Sequence, residues 1–366
     1  MIVWAASAAG ATALILSAAI TPLAMRVARR TGFVAAPRPD RHHTRPTPLL
    51  GGVAILLAIL IPSLTVLALA VFWNARGIPA WLPPGVRLHV PGMAARAPLA
   101  LGILGGAVAL HVIGLIDDRR RLGPWLKLLG QLAVAAAVVL GGRVRLLELL
   151  GEPLSSIATI GWLVVVINAM NFLDNVDGLA AGVTAICAAA LLAAAAGAEQ
   201  LFVAGWLVLL LGASLGFLVH NFPPAKVFMG DAGSLVLGYF LAILTVLTTY
   251  YRPGPAGEGA YYGVLAPVVL LAVPLYDTAS VMFLRIRQGR SPWVGDTSHF
   301  SHRLLARGMS PRKAVLTIYL ATAATAAGAT LLPHLGAFGA SVVFAQTLGI
   351  VLIIALLESA DRRGRE

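Results

Sequence analysis

Four short stretches of the chain carry most of the side chains suited to acid, metal or phosphate chemistry. The first is an adjacent carboxylate pair, Asp117 and Asp118, at the end of an apolar run, followed by Arg119, Arg120 and Arg121 and then Lys127 and Gln131. Such a pair can bind Mg²⁺, or one member can act as base while the other holds the metal. A solvated helix end with acids beside arginines explains the same residues. The second stretch repeats Asn168, Asn171, Asp174 and Asp177 at every third position and ends in Gly178. Each step of three turns an α-helix by about −60°, so the four would sweep half its surface, which a lipid-facing span cannot accept. The spacing therefore predicts a helix break near Asn171, with Gly178 helping the chain turn and amides and carboxylates offered to a polar ligand. A plain loop of turn residues is the alternative.

The third stretch reads Phe228-Met-Gly-Asp231-Ala-Gly-Ser234 and enters an apolar run. It predicts Asp231 and backbone N–H groups at the positive end of a helix, an arrangement suited to phosphate oxygens with Mg²⁺; ordinary helix capping is the alternative. Phe228 reads as a stacking partner for a base or as an interfacial anchor. The fourth contains Asp277, Arg285, Arg287 and Arg290, then Asp296-Thr-Ser-His299-Phe-Ser-His302-Arg303. Two histidines three apart can share a helix face, but no further soft ligand accompanies them for Zn²⁺. With Arg303 they read as a phosphate clamp, or else as a solvated basic loop. A basic, proline-rich loop with Arg41, His42, His43 and Arg45 completes the set. His89, His111 and His334 read as structural or interfacial, and His220 and Asn221 as support for the third stretch.

The elements that must position these groups follow from composition. Of 366 residues, 59% are hydrophobic and 11% charged, against about 25% charged in soluble domains. A soluble fold, disorder and collagen-like repetition are excluded, and the single cysteine, Cys187, excludes a disulfide framework or cysteine-held metal. Eleven apolar runs, roughly 2–25, 49–73, 98–116, 126–141, 157–173, 178–197, 201–219, 234–251, 260–284, 313–333 and 336–357, approach the ~20 residues that cross a bilayer as helix. The expected fold is all-α and polytopic, one transmembrane domain over 1–366, with the fourth and fifth spans short and tilted or partly re-entrant. The first run lacks a basic leader region and reads as a span with its N-terminus outside.

Sidedness follows from the basic residues: 21 of the 27 Lys and Arg fall on one set of loops, which marks that face as cytoplasmic. On the same face lie eight aspartates: Asp40, Asp117, Asp118, Asp174, Asp177, Asp231, Asp277 and Asp296. Short carboxylates gathered at the water boundary suggest a cation site. An ion-coupled transporter, the alternative from another class, would place acids at mid-bilayer with an inverted repeat and broken helices. No basic module separate from the membrane exists to bind nucleic acid.

In combination, the stretches NAMNFLDNVDGLAAG and VFMGDAGSLVLG, the paired acids and the histidine segment resemble the polyprenyl-phosphate N-acetylhexosamine-1-phosphate transferase superfamily. The resemblance spans about residues 30–310, leaving the last two spans, 313–357, and a tail, 358–366. It implies transfer of a sugar-1-phosphate from a UDP-N-acetylamino sugar, of GlcNAc type, to undecaprenyl or a similar polyprenyl phosphate, with release of UMP. It implies Mg²⁺, or Mn²⁺ in its place, and an active site on the cytoplasmic face of the bacterial cell membrane; a homodimer is one open arrangement, and the sequence does not set the oligomeric state. Residue by residue, it implies catalytic roles for Asp117, Asp118 and Asp231 and metal binding by Asp231 and Asn171. Substrate contacts fall to Lys127, Asp177, Phe228, His299, His302 and Arg303, with Phe228 stacking on uracil; Asn168, Asp174, His43 and Arg45 join them as substrate-binding candidates from the residue pattern of their own stretches. The superfamily also contains the phospho-N-acetylmuramoyl-pentapeptide translocase, which has three consecutive histidines where this chain reads His299-Phe-Ser301-His302-Arg303. Ala35, two residues before Pro37, and Asp40 depart from the superfamily pattern as well.

Overall fold

The computed structural model describes residues 2–35, 46–142, 144–146, 151–248, 261–291 and 299–359. In chain order the elements are α1 (Ile2–Thr31), β1 (Val34–Ala35), β2 (Thr47–Pro48), α2 (Gly51–Arg76), α3 (Pro84–Arg87), α4 (Val90–Ala95), α5 (Ala97–Arg120), α6 (Pro124–Gly142), α7 (Leu154–Leu173), α8 (Leu179–Gly197) and α9 (Leu201–Asn221). They continue as α10 (Gly230–Leu247), α11 (Ala266–Leu270), α12 (Ala272–Arg287), α13 (Phe300–Ala306), α14 (Pro311–Leu331) and α15 (Ala337–Ser359). The two short strands pair antiparallel, with Val34 opposite Pro48.

Among the described residues ten helices are long and apolar enough to cross a membrane, and the α11–α12 pair, bent by 65°, makes eleven if it counts as one span. The chain is an all-α, multi-pass membrane protein. One expectation is corrected. With 19 and 20 residues, α6 and α7 are unbroken helices of spanning length rather than re-entrant segments. The expected break near Asn171 is met: α7 ends at Leu173, and the chain turns through 174–178 with Gly178 at φ 73°. Asn168 and Asn171, still on the helix, meet α6 and α10 instead of lipid.

A bend within a single span falls in the ninth, and proline explains it. Pro274 has no N–H to donate to the Leu270 carbonyl four residues back, and its ring crowds that oxygen, so the helix stops at Leu271 and restarts. The orphaned carbonyl faces the Cys187 thiol, with Sγ 3.8 Å from the Leu270 oxygen. Pro22 leaves the same vacancy at Ala18 inside α1, and there His220 Nε2 lies 3.0 Å from the carbonyl. Neighbouring helices thus face both vacated carbonyls, one at a break and one inside a continuous helix.

At the centre stands α10, apolar on every side and the most enclosed span in the bundle. It packs against α7, α5 and α2. Its N-terminal turn touches α5 at Gly114, where a Cβ would lie 2.4 Å from the Ala232 backbone nitrogen. No larger residue admits that approach. Gly114→Ala should therefore force α5 away from α10 and destabilise the protein by about 1–3 kcal/mol, read as a lower melting temperature in detergent. Gly102→Ala, on the same helix with no atom within 4 Å, should leave it unchanged or slightly raised.

Candidate active site

Four helix ends meet at one face of the bundle: the last turns of α5 and α7 and the first turns of α6 and α10. Their meeting point is the Lys127 ammonium. It donates to Asp117 Oδ2 at 3.1 Å and to Asn171 Oδ1 at 3.1 Å, and it pairs with Asp231 Oδ2. Asn171 in turn donates from Nδ2 to Asp231 Oδ1 at 3.0 Å and to Ser234 Oγ at 2.8 Å. One turn deeper the pattern repeats in neutral form. Gln131 follows Lys127 by four residues and exchanges amide hydrogen bonds with Asn168, which precedes Asn171 by three.

The adjacent acids divide their work because neighbouring side chains leave a helix about 100° apart. Asp117 points at Lys127. Asp118 points at the start of α10, where its two oxygens accept the backbone N–H groups of Asp231 at 2.9 Å and Ala232 at 3.2 Å. A carboxylate from one helix thus caps another, at the end where the helix dipole favours negative charge. Buried His111 on α5 adds a contact from Nδ1 to the Ala232 carbonyl at 3.0 Å, a structural role as its sequence context suggested.

A cavity of about 110 Å³ opens beside this cluster, lined by Asp118, Asp231, Gly230, Asp174, Asn175, Val176, Asp177, Asn221, Phe228, Leu49, His302 and Pro311. Asp118, Asp177 and His302, far apart in the chain, converge there. The turn after α7 is pinned from several sides. Gly178 sits at φ 73° and donates its N–H to Asn221 Oδ1 at 3.0 Å, while Asn221 Nδ2 donates to the Val227 carbonyl at 2.8 Å. Asp177 Oδ2 accepts the Ala225 N–H at 2.8 Å, and the Tyr319 hydroxyl donates to the Gly178 carbonyl. Backbone bonds fasten Phe228 to the chain entering α2, from its N–H to the Pro48 carbonyl at 2.8 Å and from the Gly51 N–H to its carbonyl at 3.0 Å.

The α13 wall is organised from α12. Asp277 binds His299, Arg303 Nη2 donates to Ser280 Oγ at 3.0 Å, and the Ser301 hydroxyl donates to Asn175 on the turn after α7.

Comparison with known proteins gives the family. Residues 100–249, which hold the whole ammonium cluster, match the family model described as Glycosyl transferase family 4. The chain is 34% identical over 391 residues to the decaprenyl-phosphate N-acetylglucosaminephosphotransferase of Mycolicibacterium smegmatis, covering 95% of this chain and 86% of that protein. It is 36% identical over 349 residues to the Mycobacterium leprae protein of the same name, covering 87% and 82%. A Bacillus subtilis relative, named "Probable undecaprenyl-phosphate N-acetylglucosaminyl 1-phosphate transferase", is 31% identical over 82% of this chain and 77% of its own length. The chain belongs to glycosyl transferase family 4.

Within this family member, the residues singled out in the sequence fall into distinct places. Asp118, Asp231, Asp174, Asp177, Phe228 and His302 line the cavity. Asp117, Lys127 and Asn171 stand behind Asp231 as its charge and hydrogen-bond partners. Asn168 faces Gln131, His299 lies behind His302 against Asp277, and Arg303 reaches α12. His43 and Arg45 lie outside the described residues, as do Arg41, His42, Asp40 and Asp296. Ser234 and Asn175 join the site although no substrate or metal role had been assigned to them; Asn221, read as support for the third stretch, holds the Val227 carbonyl just before it. Among the described residues no group of three or more His, Cys, Asp or Glu forms a metal cage.

The two carboxylates on Lys127 need its charge, since the Asp117 and Lys127 side chains are each only 13% exposed. Removing one partner of a buried pair strands the other. Lys127→Ala should lower stability by about 3 kcal/mol, seen as a reduced melting temperature in detergent, and Lys127→Ala combined with Asp231→Asn should recover part of that loss. An unchanged melting temperature for Lys127→Ala would show that the ammonium is not needed to hold the acids together.

Proposed function

We propose that the protein transfers a sugar-1-phosphate, N-acetylglucosamine-1-phosphate in the first instance, from its UDP donor to a polyprenyl phosphate, releasing UMP. The observation that carries this reading is the convergence of Asp118, Asp177, Asp231, Phe228 and His302 on one cavity, in a chain whose relatives are named for this transfer. The bias of Lys and Arg supports placing this face in the cytoplasm.

Both reactants are polyanions, so charge neutralisation is the first task. Mg²⁺ commonly binds through one or two carboxylates plus substrate phosphates rather than in an all-protein cage. The oxygens around Lys127 Nζ form a donor set of that kind and already gather about a positive charge. Asp231 and Asn171 would hold the ion, which supplies neutralisation of the diphosphate when bound. On the protein's own side, Lys127 carries the fixed positive charge next to Asp231. His302 presents a ring N–H from the cavity wall, and Phe228 offers its face to the uracil with Asp177 beside it. A lipid phosphate has a second pKa near 6 and is mostly a dianion at neutral pH, so a strong base is unnecessary. Asp117 holds the Lys127 ammonium beside Asp231, and Asp118, which lines the cavity, holds the start of α10; both carboxylates are thus engaged, favouring direct attack on the donor over a phosphorylated aspartate.

The test is UMP release by purified protein given undecaprenyl phosphate, Mg²⁺ and a panel of UDP-sugars including UDP-N-acetylglucosamine and UDP-N-acetylmuramoyl-pentapeptide. UMP with the former donor is expected; its absence with every donor overturns the reading. Asp231→Asn keeps an oxygen for the Asn171 amide and should stay folded while losing at least about 100-fold in rate, roughly what loss of one electrostatic stabiliser costs. Near-normal UMP release would remove Asp231 from the chemistry.

A further inference from the structure

His302 reaches the cavity from a helix of only seven residues, and a buried carboxylate on another element fixes where that helix begins. Asp277 lies on α12, six residues past the bend at Leu271, and is 1% exposed. Its Oδ1 accepts the Phe300 backbone N–H at 2.7 Å, and its Oδ2 lies 2.9 Å from His299 Nδ1. Because an ionised carboxylate only accepts, His299 must keep its proton on Nδ1. The His299 ring stands edge-on to Phe172 at 5.9 Å and lies 6.4 Å from the ring of His302. Phe172, the neighbour of Asn171, also carries the Arg285 guanidinium from α12 over its ring at 5.7 Å. The same stretch of α12 therefore grips both the histidine wall and the segment that holds the ammonium cluster.

We propose that Asp277 is a positioning residue for the transfer: through His299 and the start of α13 it aims His302 at the transferring phosphate, without touching substrate itself. The inference rests on the transferase reading of the cavity given above. A carboxylate on the far nitrogen of an imidazole fixes its tautomer and orientation, and its loss commonly costs about 10–100-fold in activity. Asp277→Asn isolates that effect. The amide oxygen still accepts from Phe300, while the amide N–H group turns toward Nδ1 and drives the His299 proton to Nε2.

The experiment measures UMP release by full-length Asp277→Asn, His299→Gln, His302→Ala and the Asp277→Asn/His302→Ala double variant, with ¹⁵N-histidine spectra of wild type and Asp277→Asn. Asp277→Asn should lower kcat about 10–100-fold with donor KM within about twofold. One histidine should change from the Nδ1–H to the Nε2–H form. His299→Gln, which leaves the bond to Phe300 in place, should lose rate similarly, so the result does not hang on one variant. The double variant should be no slower than His302→Ala alone, since residues acting in series are not additive. Losses that multiply in the double variant, or a wild-type kcat in Asp277→Asn while His302→Ala is slow, overturn the proposal and leave the transferase reading standing. Absence of UMP release from the wild-type protein removes both.

Discussion

Carboxylates at the ends of apolar helices are tolerable only if something answers their charge. Here a single ammonium does so for two of them. Lys127 draws Asp117, Asn171 and Asp231 to one point, which brings together the ends of α5, α6, α7 and α10. Exposed ion pairs contribute at most about 1 kcal/mol. This one is largely withdrawn from water and shared among three oxygens, so its larger consequence is geometric. Four spans that could slide past one another in lipid are brought into register where the polar chemistry lies.

The second constraint is mechanical. Asp118 ties the end of α5 to the first turn of α10 through two backbone N–H groups, and Gly114 lets the same helices approach closely one turn earlier. The residue that shares the cavity and the ammonium, Asp231, sits in that first turn. Its position is therefore set by the packing of the central span rather than by a mobile loop, as suits a group that must face two crowded phosphates.

Much of this architecture was legible in the sequence. The apolar runs located the ten spanning helices and the bent α11–α12 pair, and the acids and amides at 117–118, 168–177 and 231 marked the helix ends that meet. The split between Asp117 and Asp118 was not legible, because it depends on which neighbour each side chain meets across the helix surface. The helix end near Asn171 and the turn at Gly178 were legible from the three-residue spacing of polar groups. The partners of Asn168 and Asn171 were less so: Lys127, Gln131 and Ser234 surround the end of α7, and Gln131, one helical turn after Lys127, was the available sign of that. The break at Leu271 was signalled by Pro274, four residues after the carbonyl it orphans. Asp277 looked like one more inner-face acid, since its partners His299 and Phe300 lie more than twenty residues away.

The proline break in the ninth span also settles the fate of the chain's lone sulfhydryl. Cys187 is buried against the vacated Leu270 oxygen, shielded from aqueous alkylating reagents while the fold holds. The natural protein thus offers a nearly silent background: a cysteine placed in any loop becomes its sole reactive handle for membrane-impermeant maleimides, and sidedness can be mapped loop by loop without first stripping the sequence.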